Sequence, residues 1–217
     1  ERTIAKVFSN RAYGLISFNL FDQLYINTSA SVEAASTVKG VFFYPSADVA
    51  WQFSDNIKSK KILSFGKVRM AYGQSGLQPE AYRFQNIVNT AFPTFGGAFV
   101  INSRRGNYNL RPELKREFEL GSDLRFFNNK LIVSLSYYIN RTKDILYNVT
   151  ANPSSGYTTN YINAATIQNK GLEFDINYDI LKKKDLTVSF MANFNNNRNL
   201  VVDVAGDGVV DIGGTSK

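Results

Sequence analysis

Between Glu117 and Asn197, apolar and polar residues alternate with a two-residue period through two long hairpins. Phe118, Leu120, Leu124 and Phe126 fall on one face, with Glu117, Glu119, Asp123 and Arg125 on the other. Asn128-Asn129 makes the turn, because asparagine tolerates the positive φ of a tight hairpin. The chain returns through Leu131, Val133, Leu135, Tyr137 and Ile139, with Ser134, Ser136 and Asn140 opposite. In the second hairpin Leu172, Phe174, Ile176, Tyr178 and Ile180 alternate with Glu173, Asp175, Asn177 and Asp179. Lys182 to Lys184 turn the chain, and Leu186, Val188, Phe190, Ala192 and Phe194 then alternate with Thr187, Ser189, Asn193 and Asn195. Strands of soluble proteins run about 5–6 residues. Alternation over roughly 10 residues is the length a tilted strand needs to cross a bilayer. A soluble sandwich also alternates, but rarely for so long or with such short turns.

The N-terminal half repeats the pattern, with strands predicted at 11–21, 24–34, 42–53 and 62–73. Short turns fall at 22–23, 54–61, 128–129 and 181–184. Long irregular stretches fall at 74–110, 148–167 and 198–217. Regular alternation of short and long connections fits a meander that crosses a membrane, with the long loops outside the cell. The pattern therefore predicts an all-β, antiparallel, up-and-down transmembrane β-barrel, of which this chain supplies about eight or nine strands.

Composition narrows the chemistry. The 217 residues contain no Cys and no His, which excludes thiolate, imidazole and ordinary zinc chemistry and any triad built on His. Mean hydropathy is −0.21, and no apolar run reaches the roughly 18 residues of a membrane helix. The net charge of +7 is scattered over loops and turns, such as Lys58, Lys60 and Lys61, rather than interleaved with aromatic rings, so no nucleic-acid surface is expected. The chain opens at Glu1 without an apolar leader segment, and is expected to lack its natural start.

No catalytic, cofactor-binding or metal-binding residues are expected. Glu113, Glu117, Glu119, Asp123, Asp144, Glu173, Asp175 and Asp179 include carboxylates that a glycosidase pair would need, but they are expected to be a polar lumen lining that alternates with lipid-facing positions. Glu117 and Glu119 are expected to pair with Arg125, Lys115 or Arg116. Asp203, Asp207 and Asp211 lack the spacing of a calcium loop and are expected to be solvated. Gly73-Gln74-Ser75-Gly76 reads as a strand-to-loop exit. Most of Trp51, Phe53, Phe127, Tyr137, Tyr138 and Tyr178 are expected in interfacial girdles. Tyr82, Phe84, Phe92, Phe95, Phe99, Tyr108, Tyr157 and Tyr161 lie in the predicted long loops and are the candidate substrate or partner contacts.

Several segments carry a family resemblance, in order along the chain. They are Ser64-Phe65-Gly66-Lys67-Val68-Arg69-Met70-Ala71-Tyr72-Gly73-Gln74-Ser75-Gly76, Asn109-Leu110-Arg111-Pro112-Glu113 with Glu117-Phe118-Glu119-Leu120-Gly121, Asn128 to Tyr138 with Arg141-Thr142-Lys143-Asp144-Ile145-Leu146, and Ile167-Gln168-Asn169-Lys170-Gly171-Leu172-Glu173. They resemble the SusC/RagA-like TonB-dependent outer-membrane transporters of Bacteroidetes, from about residue 11 to 200. The resemblance implies a barrel of about 22 strands around a lumen plug, of which this chain would be a fragment without the plug, the TonB box or the remaining strands. It implies a nutrient importer rather than an enzyme, taking up oligosaccharides or peptides across the outer membrane. The implied partners are a SusD-like surface lipoprotein, TonB and outer-membrane lipid, with no cofactor. Two other readings stay open: a barrel of this family serving as a structural subunit of a larger outer-membrane complex, and a soluble β-sandwich that binds carbohydrate.

Overall fold

A computed structural model of the chain describes residues 6–57, 61–91 and 98–204, with 89–91 and 98–101 by backbone only. Alternation becomes strand throughout. The elements are β1 (Ser9–Leu20), β2 (Leu24–Ala35), β3 (Val41–Trp51), β4 (Leu63–Leu77), β5 (Val88–Ala91), β6 (Ala98–Ile101), β7 (Arg104–Arg105), β8 (Glu113–Phe126), β9 (Leu131–Thr150), β10 (Thr159–Lys182) and β11 (Thr187–Val204). Eight of them form one antiparallel path, β1-β2-β3-β4-β8-β9-β10-β11. β7 adds to β10, and β5 and β6 form a separate hairpin. Every step along the path joins strands adjacent in sequence, apart from the β5–β7 excursion between β4 and β8. β1 and β11 each have one neighbour, so the sheet is open among the described residues.

The register sorts side chains into two faces. One cross-strand row holds Phe18, Ile26, Val49, Met70, Leu120, Tyr137 and Leu172. The next row, one residue along each strand, points the other way and holds Ser17, Asn27, Asp48, Ala71, Glu119, Tyr138 and Gly171. Among the described residues nothing covers the apolar face: Phe18 is 52% exposed, Leu120 50% and Phe194 55%. Elements meet edge to edge along the sheet rather than face to face. A soluble sandwich would tuck this face between two layers, so the sandwich alternative falls. In water, an apolar surface this wide would be an aggregation site; in lipid it is the required exterior.

Short turns sit at one end of the sheet. Phe21 and Asp22 turn the first hairpin at φ 57° and 54°, and Phe127, Asn128 and Asn129 turn the third at 53°, 56° and 65°. Aromatics gather at this end: Trp51 stacks edge-on against Phe53 at 6.0 Å, Phe126 lies beside Phe127, and Tyr178 faces Phe190. Of the expected girdle residues, Tyr137 lies on the apolar face, opposite Leu120 and Leu172 and two outward rows below Arg141. Tyr138 points to the polar face, where its ring covers Gly171.

Three loop boundaries differ from expectation. The stretch 148–167 is mostly strand, since β9 runs to Thr150 and β10 begins at Thr159. Register shifts around Ala165 and a positive φ at Asp144 break the two-residue phase there, so the alternation that marks strands is lost while pairing continues. β11 runs on to Val204 past the predicted end at Asn197, with Arg198, Leu200 and Val202 continuing one face. Residues 205–217 of the expected terminal loop lie outside the described residues. Gly73-Gln74-Ser75-Gly76 does not leave the sheet: it pairs with Glu117, Arg116, Lys115 and Leu114. Gly76 leaves room for Tyr44, whose hydroxyl would lie 2.0 Å from any Cβ at that position.

Candidate functional site

Two polar regions flank the apolar wall: a cap at the long-loop end and the inward face of the sheet. The cap is built where residues 78–91 and 98–112 fold back onto the extended ends of β9 and β10. Asparagine side chains do the joining. Asn163 Nδ2 donates to the carbonyls of Arg111 (2.8 Å) and Asp144 (2.7 Å), and its Oδ1 accepts from the Arg111 N–H at 3.0 Å. Asn107 Nδ2 donates to the Tyr161 carbonyl at 3.2 Å, and Asn86 Oδ1 accepts from the Gly106 N–H at 2.8 Å. Such links satisfy loop backbone that no ladder reaches. Under them Leu110, Tyr161, Ala151 and Ala164 are buried.

The guanidinium of Arg83 lies 5.0 Å above the Tyr161 ring and pairs with Glu80. Burial pushes the Tyr161 phenol above its ordinary range, and the Glu80 carboxylate adds to the rise. Burial lowers the Arg104 guanidinium, and repulsion from Arg83 adds to it. Phe84 packs edge-on against Tyr108 at 6.1 Å, and Lys39 sits 5.5 Å over the Tyr108 ring. Ser36, Val38, Lys39, Phe84, Tyr108 and Leu110 line a small cavity of about 210 Å³. Tyr108 and Tyr161 also border a second one of about 340 Å³ with Arg105, Asn107 and Asn160.

The candidate aromatics thus separate. Phe84 and Tyr108 share a cavity wall, Tyr82 lends its carbonyl to Arg104 at 3.4 Å, and Tyr161 is buried as an anchor of the cap. Tyr157 lies on the 151–158 loop, its N–H on the Ser155 hydroxyl. Phe99 lies in β6 opposite Thr90, while Phe92 and Phe95 lie outside the described residues. Of the acidic trio, Asp203 is paired with Thr166 in β11, and Asp207 and Asp211 lie outside the described residues.

The inward face is a lattice of side-chain pairs. Lys67 meets Asp123 at 2.9 Å, and Asn27 donates to Asp48 at 2.8 Å. Ser29 and Ser46 bond at 2.6 Å, and Asn169 donates to Asn140 at 3.0 Å. Glu117 pairs with Lys115, one of its expected partners. Glu119 does not pair with Arg125, Lys115 or Arg116; its partner is Arg69 on the neighbouring strand, which also donates to Ser136 at 2.6 Å. Gly121 makes this possible, because a Cβ there would lie 2.7 Å from Arg69 Nε. Intrastrand spacing could not show that pair; it depends on the β4–β8 register. The arrangement suits passage and packing of hydrated polar groups.

Comparison with known proteins agrees with this geometry. The family model for the TonB dependent receptor-like β-barrel matches residues 3–215. TonB-dependent receptor P26 of Formosa agariphila is 28% identical over 78% of this chain and 18% of its own length. TonB-dependent receptor SusC of Bacteroides thetaiotaomicron is 26% identical over 95% of this chain and 21% of its own length. The chain therefore spans about one fifth of the curated relatives it matches. The structure of the RagAB peptide transporter superposes with a TM-score of 0.86 at 23% identity, over 94% of this chain and 23% of that one. The siderophore receptor PirA from Pseudomonas aeruginosa shares the fold at a TM-score of 0.59 and 17% identity, over 88% of this chain and 34% of its own. An open antiparallel meander with one oily and one charged face is thus a stretch of barrel wall, and the chain belongs to the TonB-dependent receptor-like β-barrel family.

Proposed function

We propose that this chain is wall and outer rim of an outer-membrane importer that takes up oligosaccharides or peptides. The observation that carries the proposal is the division of faces: exposed Phe, Leu, Met and Tyr on one side, and paired carboxylates, amides and cations on the other. An open edge in lipid leaves backbone N–H and C=O groups unsatisfied, at several kcal/mol each. β1 and β11 accordingly need further strands, and closure would place the charged face around an aqueous lumen. The wall does no bond-making chemistry. Its part is to hold a polar passage open while TonB energises transport and a SusD-like surface lipoprotein captures substrate at the cap. Likeness to SusC and to a peptide transporter supports this, and leaves the choice between glycan and peptide to experiment.

The test uses cells that depend on the full-length protein, supplied with defined peptide or oligosaccharide mixtures as sole nutrient. Growth on one class, abolished by deleting tonB and weakened by Phe84→Ala with Tyr108→Ala at unchanged protein level, is the expected result. TonB-independent growth on both classes would remove the proposal.

A further inference from the structure

Charge is divided between the faces of β8–β11 in a way that barrel closure does not require. The inward face carries Glu117, Glu119, Asp123, Glu173 and Asp175, with Lys115 and Arg125 among them. The outward face carries no carboxylate along the paired rows from Phe126 and Leu131 up to Arg116 and Arg141. Its charged groups there are all cations, and they lie side by side. Arg116 is the direct cross-strand partner of Arg141, and Lys170 is the direct partner of Arg198. Arg141 pairs with Gln168, two residues from Lys170, which sets the two pairs diagonally adjacent. Like charges placed directly opposite repel. None of the four forms an ion pair or side-chain hydrogen bond among the described residues, and Arg141 Nε is buried with no acceptor.

Their height is equally specific. Below them on the same face lie Phe118, Leu120, Leu124 and Phe126 on β8, and Leu172, Phe174, Ile176 and Tyr178 on β10. At about 3.4 Å per residue and a tilt near 40°, those rows span about 20–25 Å, the thickness of a barrel's apolar band. The cations therefore stand on its upper rim, on the long-loop side, where lipid headgroups begin. The outward rows of β1–β3 at that end carry Ala12, Gly14, Ala30, Val32, Phe43 and Pro45 instead.

We propose that Arg116, Arg141, Lys170 and Arg198 form a belt that binds the phosphates of outer-leaflet lipid packed against strands β8–β11. A phosphate oxygen set between two guanidinium groups accepts charge-assisted hydrogen bonds from both, and turns a repulsive pair into a bridged one. The acyl chains of the same lipid continue down the apolar rows, so one ligand covers both features. The belt rests on the outer-membrane assignment made above.

The experiment uses the full-length protein in neutral-detergent micelles, titrated with diphosphoryl lipid A, with its dephosphorylated form, and with inorganic phosphate. The wild type is compared with the fourfold variant Arg116→Gln, Arg141→Gln, Lys170→Gln, Arg198→Gln. Heat-modifiable gel migration reports folding, and the pair Arg116→Gln, Arg141→Gln replaces the fourfold variant should that one misfold. Removing all four cations is expected to weaken diphosphoryl lipid A by about 1,000-fold, and removing two by about 30-fold. The dephosphorylated lipid is expected to bind wild type and variant alike. Equal binding of diphosphoryl lipid A by both proteins overturns the belt. Inorganic phosphate binding as tightly as the lipid overturns the lipid as its source. A lipid-borne quencher that fails to reach Leu120 would overturn the outer-membrane assignment and the belt together, whereas phosphate-indifferent binding to a lipid-wetted wall overturns the belt alone.

Discussion

The two faces of one sheet are built by different rules, although they share every strand. On the outward face neighbours are interchangeable: Leu120 stands between Met70 and Tyr137 in its cross-strand row, and any apolar side chain of similar size would serve in lipid. On the inward face neighbours are specific: Arg69 needs Glu119, Ser136 and the space left by Gly121, and Tyr138 needs the space left by Gly171. The outer face is constrained by its solvent, the inner face by its partners.

Substitutions should separate these rules, and the largest effect belongs to the solvent rule. Leu135→Arg puts a charge near the middle of the apolar band, opposite Ser122, and should destabilise the full-length barrel by about 2–4 kcal/mol. Asn195→Arg, one face away, should stay within about 0.5 kcal/mol. Urea titration in lipid vesicles measures both, and equal costs would erase the distinction between faces. Gly171→Val comes next, because a Cβ at that site would lie 2.2 Å from the Tyr138 ring. It should cost about 1–3 kcal/mol, and adding Tyr138→Ala should recover most of the loss; no recovery would mean that the ring is not the obstacle.

Smaller effects come from polar partners. Arg69→Met should cost about 1 kcal/mol or less, since the two side chains are 37% and 30% exposed and the pair is screened. Its clearer signature is a double-mutant cycle with Glu119→Gln, which should show coupling where Arg125→Met with Glu119→Gln shows none. Smallest is a pH effect in the cap. The native Tyr161 value is raised, so its contribution is fully present below the ordinary tyrosine value of about 10 and is lost as pH rises through the higher native value. Alkaline absorbance titration should therefore show a late-ionising tyrosine fraction that Tyr161→Phe reduces by one residue.

The sequence is legible where one physical requirement acts at a time. Lipid on one side and water on the other impose strict alternation, which is why β8, the first part of β9 and the β10–β11 hairpin can be traced residue by residue. Asparagine pairs mark turns because few residues accept positive φ, as Asn128 and Asn129 do. Legibility fails where register decides. The extension of β9 and β10 into the expected 148–167 loop is hidden by bulges that shift the phase. The Arg69–Glu119 pair joins residues far apart in sequence. Tyr138 reads as a membrane-facing aromatic beside Tyr137 until parity along β9 is fixed. Of the cap, sequence puts Tyr82, Phe84 and Tyr108 outside the long strands, but it does not show that Tyr161 belongs to β10 and is buried while Phe84 and Tyr108 share a cavity, since asparagine cross-links set that packing.

The most direct measurement is a residue-by-residue quenching scan. This stretch has no cysteine, so single cysteines can be placed along β8 and β9 of the full-length protein, labelled with a small fluorophore and exposed to brominated lipid. Quenching should alternate: strong at 118, 120, 135 and 137, weak at 117, 119, 136 and 138, with a water-soluble quencher giving the inverse. Uniform quenching, or protection of both sets from lipid, would contradict a wall with one face in the membrane.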